Sequence, residues 1–206
     1  MNSSILKKFK IPSYFSSQQL HIGLDIGAST IKLVALEKKG KERILHKVSS
    51  VALSPGIEIS ALLKDFFDSQ GIPERLVNVS VSGQSVIMRY VVLPQMTSLE
   101  LKSTMQFEAR QNIPFPLDET ILDCAILKEK IDTNKMLVVL AAIKKTALDE
   151  RITLIDKAGL SVKIIDVDCF CLANVFAHAC PSLHDTADTA KARTIALLNI
   201  GARYTN

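Results

Sequence analysis

The chain has 206 residues, of which 48% are hydrophobic and 22% are charged, a composition typical of a globular protein with its own core. Its 25 basic and 21 acidic side chains nearly balance and only 5% of residues are aromatic, which argues against nucleic-acid binding. No apolar run approaches the roughly 20 residues that span a bilayer, and the first residues lack the apolar core of a signal peptide. We therefore expect a cytoplasmic protein.

Residues 1–20 show no periodic apolar pattern, and we expect a flexible leader there. Lys7, Lys8 and Lys10 lie among apolar residues without an acidic neighbour. A weak contact of this basic segment with a membrane surface or a partner is therefore the alternative.

A strand and a turn near the beginning of the chain carry the candidate site. Ile22, Leu24 and Ile26 alternate with polar or small residues, which predicts a strand with one buried face. Gly27 permits a tight turn, after which the alternation resumes. One carboxylate, consecutive amides, two hydroxyls and a lysine are thereby brought together: Asp25, Gly27, Ala28, Ser29, Thr30 and Lys32.

These groups suit a phosphate chain with its magnesium ion. Amides and a lysine neutralise phosphate oxygens, and a carboxylate orders the water molecules around the metal. A hairpin with a buried aspartate also occurs in sheets that bind no ligand, and the pattern alone leaves both interpretations open.

Alternation and helical periodicity predict the next elements. A polar turn at residues 37–41 leads to a third strand, and an apolar stripe from Ile59 to Phe67 predicts a helix. Gly71 and Pro73 end this helix, and a strand over Leu76–Ser82 follows.

The middle of the chain predicts a compact α+β unit with the order strand, helix, strand, strand, helix. Its predicted elements are a strand at Val86–Leu93, a helix from the capping box Thr97–Glu100 to Asn112, strands at Thr120–Lys128 and Met136–Lys144, and a helix capped by Thr146 that stops at Gly159.

The last part predicts a strand at Ser161–Asp166, a helix with Asp168 as its N-cap, a polar linker and a strand at Thr194–Ile200. Asn199-Ile200-Gly201 repeats the pattern of the first turn. Two such turns that face each other would clamp a phosphate chain from both sides. The cysteines of the predicted helix, Cys169 and Cys171, are two positions apart and point to different faces, so we expect reduced thiols and not metal ligands.

Three passages of the chain resemble the type IV pilus assembly ATPase family PilM, which is related to the actin-like cell-division protein FtsA. They are residues 23–32, 106–119 and 198–203, and the resemblance covers about residues 21–206. It implies an α/β fold with an actin-like (ribonuclease H-like) mixed sheet formed by about 21–83 and 163–206. An inserted α+β subdomain of the FtsA type would occupy about 84–162.

The resemblance also implies ATP and magnesium as cofactors. Asp25 would order magnesium through water, and the amides from Gly27 to Thr30 would hold the phosphates with help from the Ser29 and Thr30 hydroxyls. Lys32 would reach the terminal phosphates, and Asn199 with Gly201 would contribute from the second turn. No catalytic residue is assigned, so at most a weak ATPase activity is expected.

The family binds the short N-terminal cytoplasmic tail of an inner-membrane pilus assembly protein. The resemblance implies that this tail lies in the groove between the core and the inserted subdomain, which would hold the protein at the inner face of the bacterial inner membrane. Membrane contact would come through this partner, or weakly through the basic leader.

Two departures from the family pattern modify these expectations. The family usually has an aspartate where Asn199 stands, and a neutral amide is a poorer partner for magnesium. The family's second lobe has no counterpart in these residues, so we expect a truncated protein that binds ATP weakly or not at all.

Three other functions remain open from the sequence. The chain could be a peptide-binding scaffold that needs no nucleotide, or a related actin-like protein of cell division or type II secretion. A sugar kinase of the same superfamily is the third alternative, although the sequence shows no pattern for a sugar site.

Overall fold

Two separate sheets organise the protein, and each is built from strands whose apolar residues alternate. The structure is a computed structural model and describes residues 20–40, 42–83, 85–180, 195–203 and 205. Its elements are β1 (Leu20–Ile26), β2 (Thr30–Lys39), β3 (Glu42–Ala52), α1 (Ile59–Ser69), β4 (Leu76–Val81), β5 (Val86–Pro94), α2 (Ser98–Asn112), β6 (Thr120–Asp132), β7 (Lys135–Lys144), α3 (Lys145–Lys157), β8 (Ser161–Val167) and α4 (Asp168–Ala179).

The larger sheet has five strands in the order β3-β2-β1-β4-β8. Strands β1, β2 and β3 are antiparallel neighbours, whereas β4 runs parallel to both β1 and β8. Helices α1 and α3 contribute Phe67 and Ile155 to the core under this sheet, where both are fully buried together with Ile22, Leu33 and Val77. The mixed α/β architecture predicted from the sequence is confirmed.

The smaller sheet has three antiparallel strands in the order β5-β7-β6. Along the sequence, these strands follow β4 and precede β8. Leu101 of α2 packs on one face of this sheet against Met136, Val138 and Leu140. The predicted capping box is present, because the Thr97 amide donates to Glu100 Oε2 at 2.6 Å and the Glu100 amide donates to Thr97 Oγ1 at 3.3 Å.

Helix α3 links the two sheets. It begins directly after β7 of the smaller sheet, yet its Ile155 lies in the core of the larger sheet. The sequence predicts this helix as part of the inserted unit, whereas its packing joins it to the core of the larger sheet. The domain limits near residues 84 and 162 stay a prediction.

The predicted caps of the last two helices are wrong. Thr146 lies inside α3, whose N-cap is Lys144, and Asp168 is the first residue of α4, whose N-cap is Val167. Neither helix has a side-chain cap hydrogen bond. The reason is that each preceding strand runs into its helix without a loop, so the last strand residue occupies the cap position.

The predicted strand at Thr194–Ile200 is also not formed in its described part. Residues 195–199 have no strand conformation, and Ile200 makes one isolated antiparallel bridge to Thr205. Leu198 and Ile200 are 67% and 75% exposed. An apolar pattern makes a strand only when a neighbouring strand supplies a hydrogen-bond ladder, and the described part of this segment has none. The polar linker predicted at 182–191 lies outside the described residues, as do residues 1–19 of the predicted leader.

Candidate functional site

The turn between β1 and β2 is closed by its own backbone. The Gly27 amide donates to the Thr30 carbonyl oxygen at 3.0 Å, and a Cβ atom on Gly27 would also lie 3.0 Å from that oxygen. The Ser29 carbonyl accepts from the Leu53 amide at 2.8 Å, which ties the turn to the end of β3. The close approach of backbone atoms therefore favours glycine at this position of the turn.

Two amides at the tip of this turn are free to bind an anion. Within the described part of the chain, no hydrogen bond uses the amide N–H groups of Ala28 and Ser29, and both residues are exposed. The Ser29 and Thr30 hydroxyl oxygens lie 3.3 Å apart beside them. Consecutive backbone amides and adjacent hydroxyls form the kind of concave donor set that phosphate oxygens accept from.

Asp25 and Lys32 are cross-strand partners at the base of the turn. Lys32 Nζ donates to Asp25 Oδ2 at 3.0 Å, and the two side chains are 60% and 49% exposed, respectively. Asp25 therefore does not point into the apolar core. An ion pair this exposed is worth about 1 kcal/mol or less, so a phosphate or a hydrated cation can separate the two groups at little cost.

Arg151 of α3 is a third charged group at the turn, and the sequence analysis did not identify it. Its Nη1 donates to the Ile26 carbonyl oxygen at 3.1 Å, across 125 positions of sequence. Burial lowers the pKa of the guanidinium, and the negative charge of Asp25 opposes that shift. Arginine stays protonated all the same, so the turn has a second positive charge beside it in addition to Lys32.

The second predicted turn does not follow a strand of either sheet in the described residues. Asn199 and Gly201 lie in the segment at 195–203 that belongs to neither sheet. Their role as nucleotide contacts stays a prediction.

A groove lies between the two sheets, on the side where β1, β4 and β8 end. This cavity of about 350 Å³ is lined by the last residues of β4 and β8, by β6 and β7, and by Leu148 of α3 and Phe170 of α4. Because β1, β4 and β8 are parallel, the β1–β2 turn and the groove lie at the same edge of the larger sheet. Ligands of open α/β sheets bind preferentially at this edge.

Two carboxylates line the otherwise largely apolar groove, one from each sheet. Asp123 of β6 and Asp166 of β8 each accept a hydrogen bond from the amide of the next residue, at 2.8 Å and 2.7 Å. No basic side chain of the described residues lies within 4.0 Å of either carboxylate. Sequence reasoning missed both residues, although the position of Asp166 at the end of a strand parallel to β4 was a usable signal.

The four cysteines all lie in the described part of the chain, and none forms a disulfide. All four are free thiols, and among the described residues no three His, Cys, Asp or Glu side chains are close enough to hold a metal. Burial raises the pKa of the Cys171 thiol to about 11, and the carboxylates of Asp166 and Asp168 add to this. The same described residues include no helix of the length and apolarity that crossing a membrane requires.

The fold is that of an actin-like mixed α/β protein, as expected from the sequence. A family model described as type IV pilus assembly protein PilM matches residues 23–206, and the chain belongs to this family.

Two solved structures show the same fold. One is a PilM-PilN type IV pilus biogenesis complex, with 28% identity and a TM-score of 0.68 over 78% of this chain and 51% of the other. The second is the cytoplasmic domain of EpsL, an inner-membrane component of the type II secretion system of Vibrio cholerae. It is 13% identical, with a TM-score of 0.52 over 74% of this chain and 59% of the other. Our chain thus spans about half the length of the PilM structure that it matches.

Proposed function

We propose that the protein is an ATP- and magnesium-binding component of type IV pilus assembly that docks the N-terminal cytoplasmic tail of an inner-membrane pilus protein. The observation that carries this proposal is the groove between the sheets, together with membership in the PilM family. The matched structure is a complex with PilN, which makes a PilN-like protein the expected partner. Such a partner would hold this protein at the inner face of the membrane.

The chemistry of the groove suits an extended peptide with apolar side chains and one basic group. Its apolar walls would bury aliphatic side chains, and burial supplies most of the driving force for docking. Asp123 and Asp166 have no cationic partner among the described residues, so a lysine or arginine of the tail would be favoured between them.

The β1–β2 turn would hold the nucleotide. The free amides of Ala28 and Ser29 fit phosphate oxygens, and Lys32 is close enough to move from Asp25 to a phosphate. Asp25, released from this pair, would bind the hydrated magnesium ion that accompanies ATP. The residues present therefore fit the cofactor that the family implies.

Filling the groove tests the docking function. Ala141 lines the groove, so Ala141→Phe should weaken binding of a synthetic PilN N-terminal peptide by about tenfold or more, because the larger ring occupies the peptide's volume. Isothermal titration calorimetry on these 206 residues measures the affinity. Ala179→Phe, at an exposed position of α4 on the side opposite to Phe170, is the matched control and should bind like the wild type. Equal affinity of all three proteins would contradict the proposal.

A scaffold that works without nucleotide is the second candidate, and it is favoured by a groove whose lining includes no residue of the β1–β2 turn. Asp25→Ala distinguishes the two functions. If nucleotide controls assembly, the variant should fail to restore pili in cells that lack the native gene, whereas Asp132→Ala, in the distant hairpin of the smaller sheet, should restore them. Full restoration by Asp25→Ala would leave only the scaffold function.

A further inference from the structure

One helix touches both proposed sites. Leu148 of α3 lines the groove, and Arg151 of the same helix donates to the Ile26 carbonyl at the β1–β2 turn. Residues three apart on a helix lie on one face, about 5–6 Å from each other. The two contacts therefore belong to one rigid segment.

The beginning of α3 is attached to the smaller sheet. The Lys144 amide donates to the Ser85 carbonyl at 3.2 Å, and Lys145 Nζ donates to the Asp118 carbonyl. Near its other end, Ile155 is fully buried in the core of the larger sheet. A displacement of the smaller sheet against the larger one would therefore act on this helix, on which both contacts lie.

Arg151 acts on the peptide plane that begins the turn. The same peptide group that presents the Ile26 carbonyl to Arg151 presents the Gly27 amide to the Thr30 carbonyl, at 3.1 Å and 3.0 Å. Fixing this plane sets the direction of the next amides, those of Ala28 and Ser29. The Ile26–Gly27 peptide group thus makes two hydrogen bonds, one with Arg151 and one with Thr30. Both weaken when their geometry changes, so a displaced guanidinium alters the orientation of this peptide group.

We propose that Arg151 is a positioning residue that couples occupation of the groove to the geometry of the β1–β2 turn through α3. Peptide in the groove presses on Leu148 and changes the position of the guanidinium at Ile26. The orientation of the Ala28 and Ser29 amides then changes, and with it their affinity for phosphate. This inference rests on the proposed docking function, and linkage makes the effect reciprocal, so phosphate at the turn alters peptide affinity by the same factor.

Amide NMR spectra of the 206-residue chain test this coupling without nucleotide. Titration with the synthetic PilN N-terminal peptide should shift the amide signals of Gly27, Ala28 and Ser29 in the wild type. In Arg151→Gln these shifts should be lost, while peptide affinity stays within about twofold, because Arg151 does not line the groove. Arg151→Lys, which keeps a cationic donor, should recover part of the shifts.

Arg89→Gln is the matched control, because Arg89 also donates to a backbone carbonyl, that of Met88 at 3.1 Å, but belongs to the smaller sheet. It should leave the turn response intact. Peptide binding without any shift at the turn, or full shifts in Arg151→Gln, would overturn the coupling alone. Absence of peptide binding to the wild type would overturn the docking function and the coupling with it. A thermal melt of each variant verifies that it is folded.

Discussion

Gly27 shows at the scale of one residue why the turn has its sequence. We predict that Gly27→Ala destabilises the protein by about 1–3 kcal/mol, because the new Cβ would lie 3.0 Å from the Thr30 carbonyl oxygen. Urea denaturation followed by circular dichroism measures the loss. Gly23→Ala is the control, since its Cβ would meet its nearest atom at 3.8 Å, an ordinary contact. Equal stability of the two variants would contradict this account.

Single residues also show where sequence reasoning succeeds and where it stops. The proximity of Asp25 and Lys32 follows from strand alternation around a short turn, because both residues lie within one hairpin, but the ion pair between them was not predicted. Arg151 could not be found in the same way, since it lies 125 positions from its partner and lone arginines on amphipathic helices are common. Contacts between distant elements depend on packing, which spacing does not encode.

Two carboxylates that cap the N-termini of α1 and α2, those of Glu58 and Glu100, make the stability of the fold depend on pH. Hydrogen bonds from Ser60 and Ala61 lower the pKa of Glu58, and those from Thr97 lower the pKa of Glu100, both from an ordinary value of 4.5. A lowered pKa in the folded state contributes stability that is present above pH 4.5 and is lost as the pH falls through the folded-state value.

We therefore predict that the wild type loses more stability between pH 6 and pH 3 than a Glu58→Gln, Glu100→Gln double variant, because the glutamines do not titrate. Urea unfolding at a series of pH values gives the comparison. Glu119→Gln, at an exposed carboxylate outside both caps, should follow the wild-type pH profile. Identical profiles for the wild type and the double variant would exclude the caps as the source of the dependence.

At the scale of elements, the sequence predicted nearly all helices and strands of the described residues. Gly71, at a φ of +66°, follows α1 where the helix was expected to end. The capping box of Thr97 and Glu100 begins α2, as predicted. The failures share one cause. Thr146, Asp168 and residues 194–200 were interpreted from local pattern, but caps and strands are decided by what the neighbouring chain supplies.

Within the described residues, the larger sheet has one hydrophobic core and the smaller sheet has two smaller clusters, so the two sheets should differ in local stability. Leu33 lies in the core of the larger sheet and Leu140 in one cluster of the smaller sheet, and both are at most 1% exposed. Truncation of either to alanine should cost about 2–5 kcal/mol. We predict that Leu140→Ala accelerates amide hydrogen exchange mainly in β5, β6 and β7, whereas Leu33→Ala accelerates it throughout the larger sheet.

Hydrogen exchange with mass spectrometry measures both effects. The two effects should stay within their own sheets because no strand pairing joins the sheets in the described part of the chain, so each can lose packing without breaking the ladders of the other. Equal acceleration in both sheets from Leu140→Ala would show that the two sheets behave as one cooperative unit.

The parallel ladder between β4 and β8 has a consequence for the order of events during synthesis. β4 ends at Val81 and β8 begins at Ser161. All three strands of the smaller sheet are therefore synthesised, and leave the ribosome, before β8 emerges to complete the larger sheet. Hairpins with local contacts form faster than pairings between distant segments. The small unit can thus fold first and shorten the loop that β8 has to close, which lowers the entropic cost of completing the sheet. A nascent chain arrested before Ser161 would leave β4 as an open template for neighbouring polypeptides.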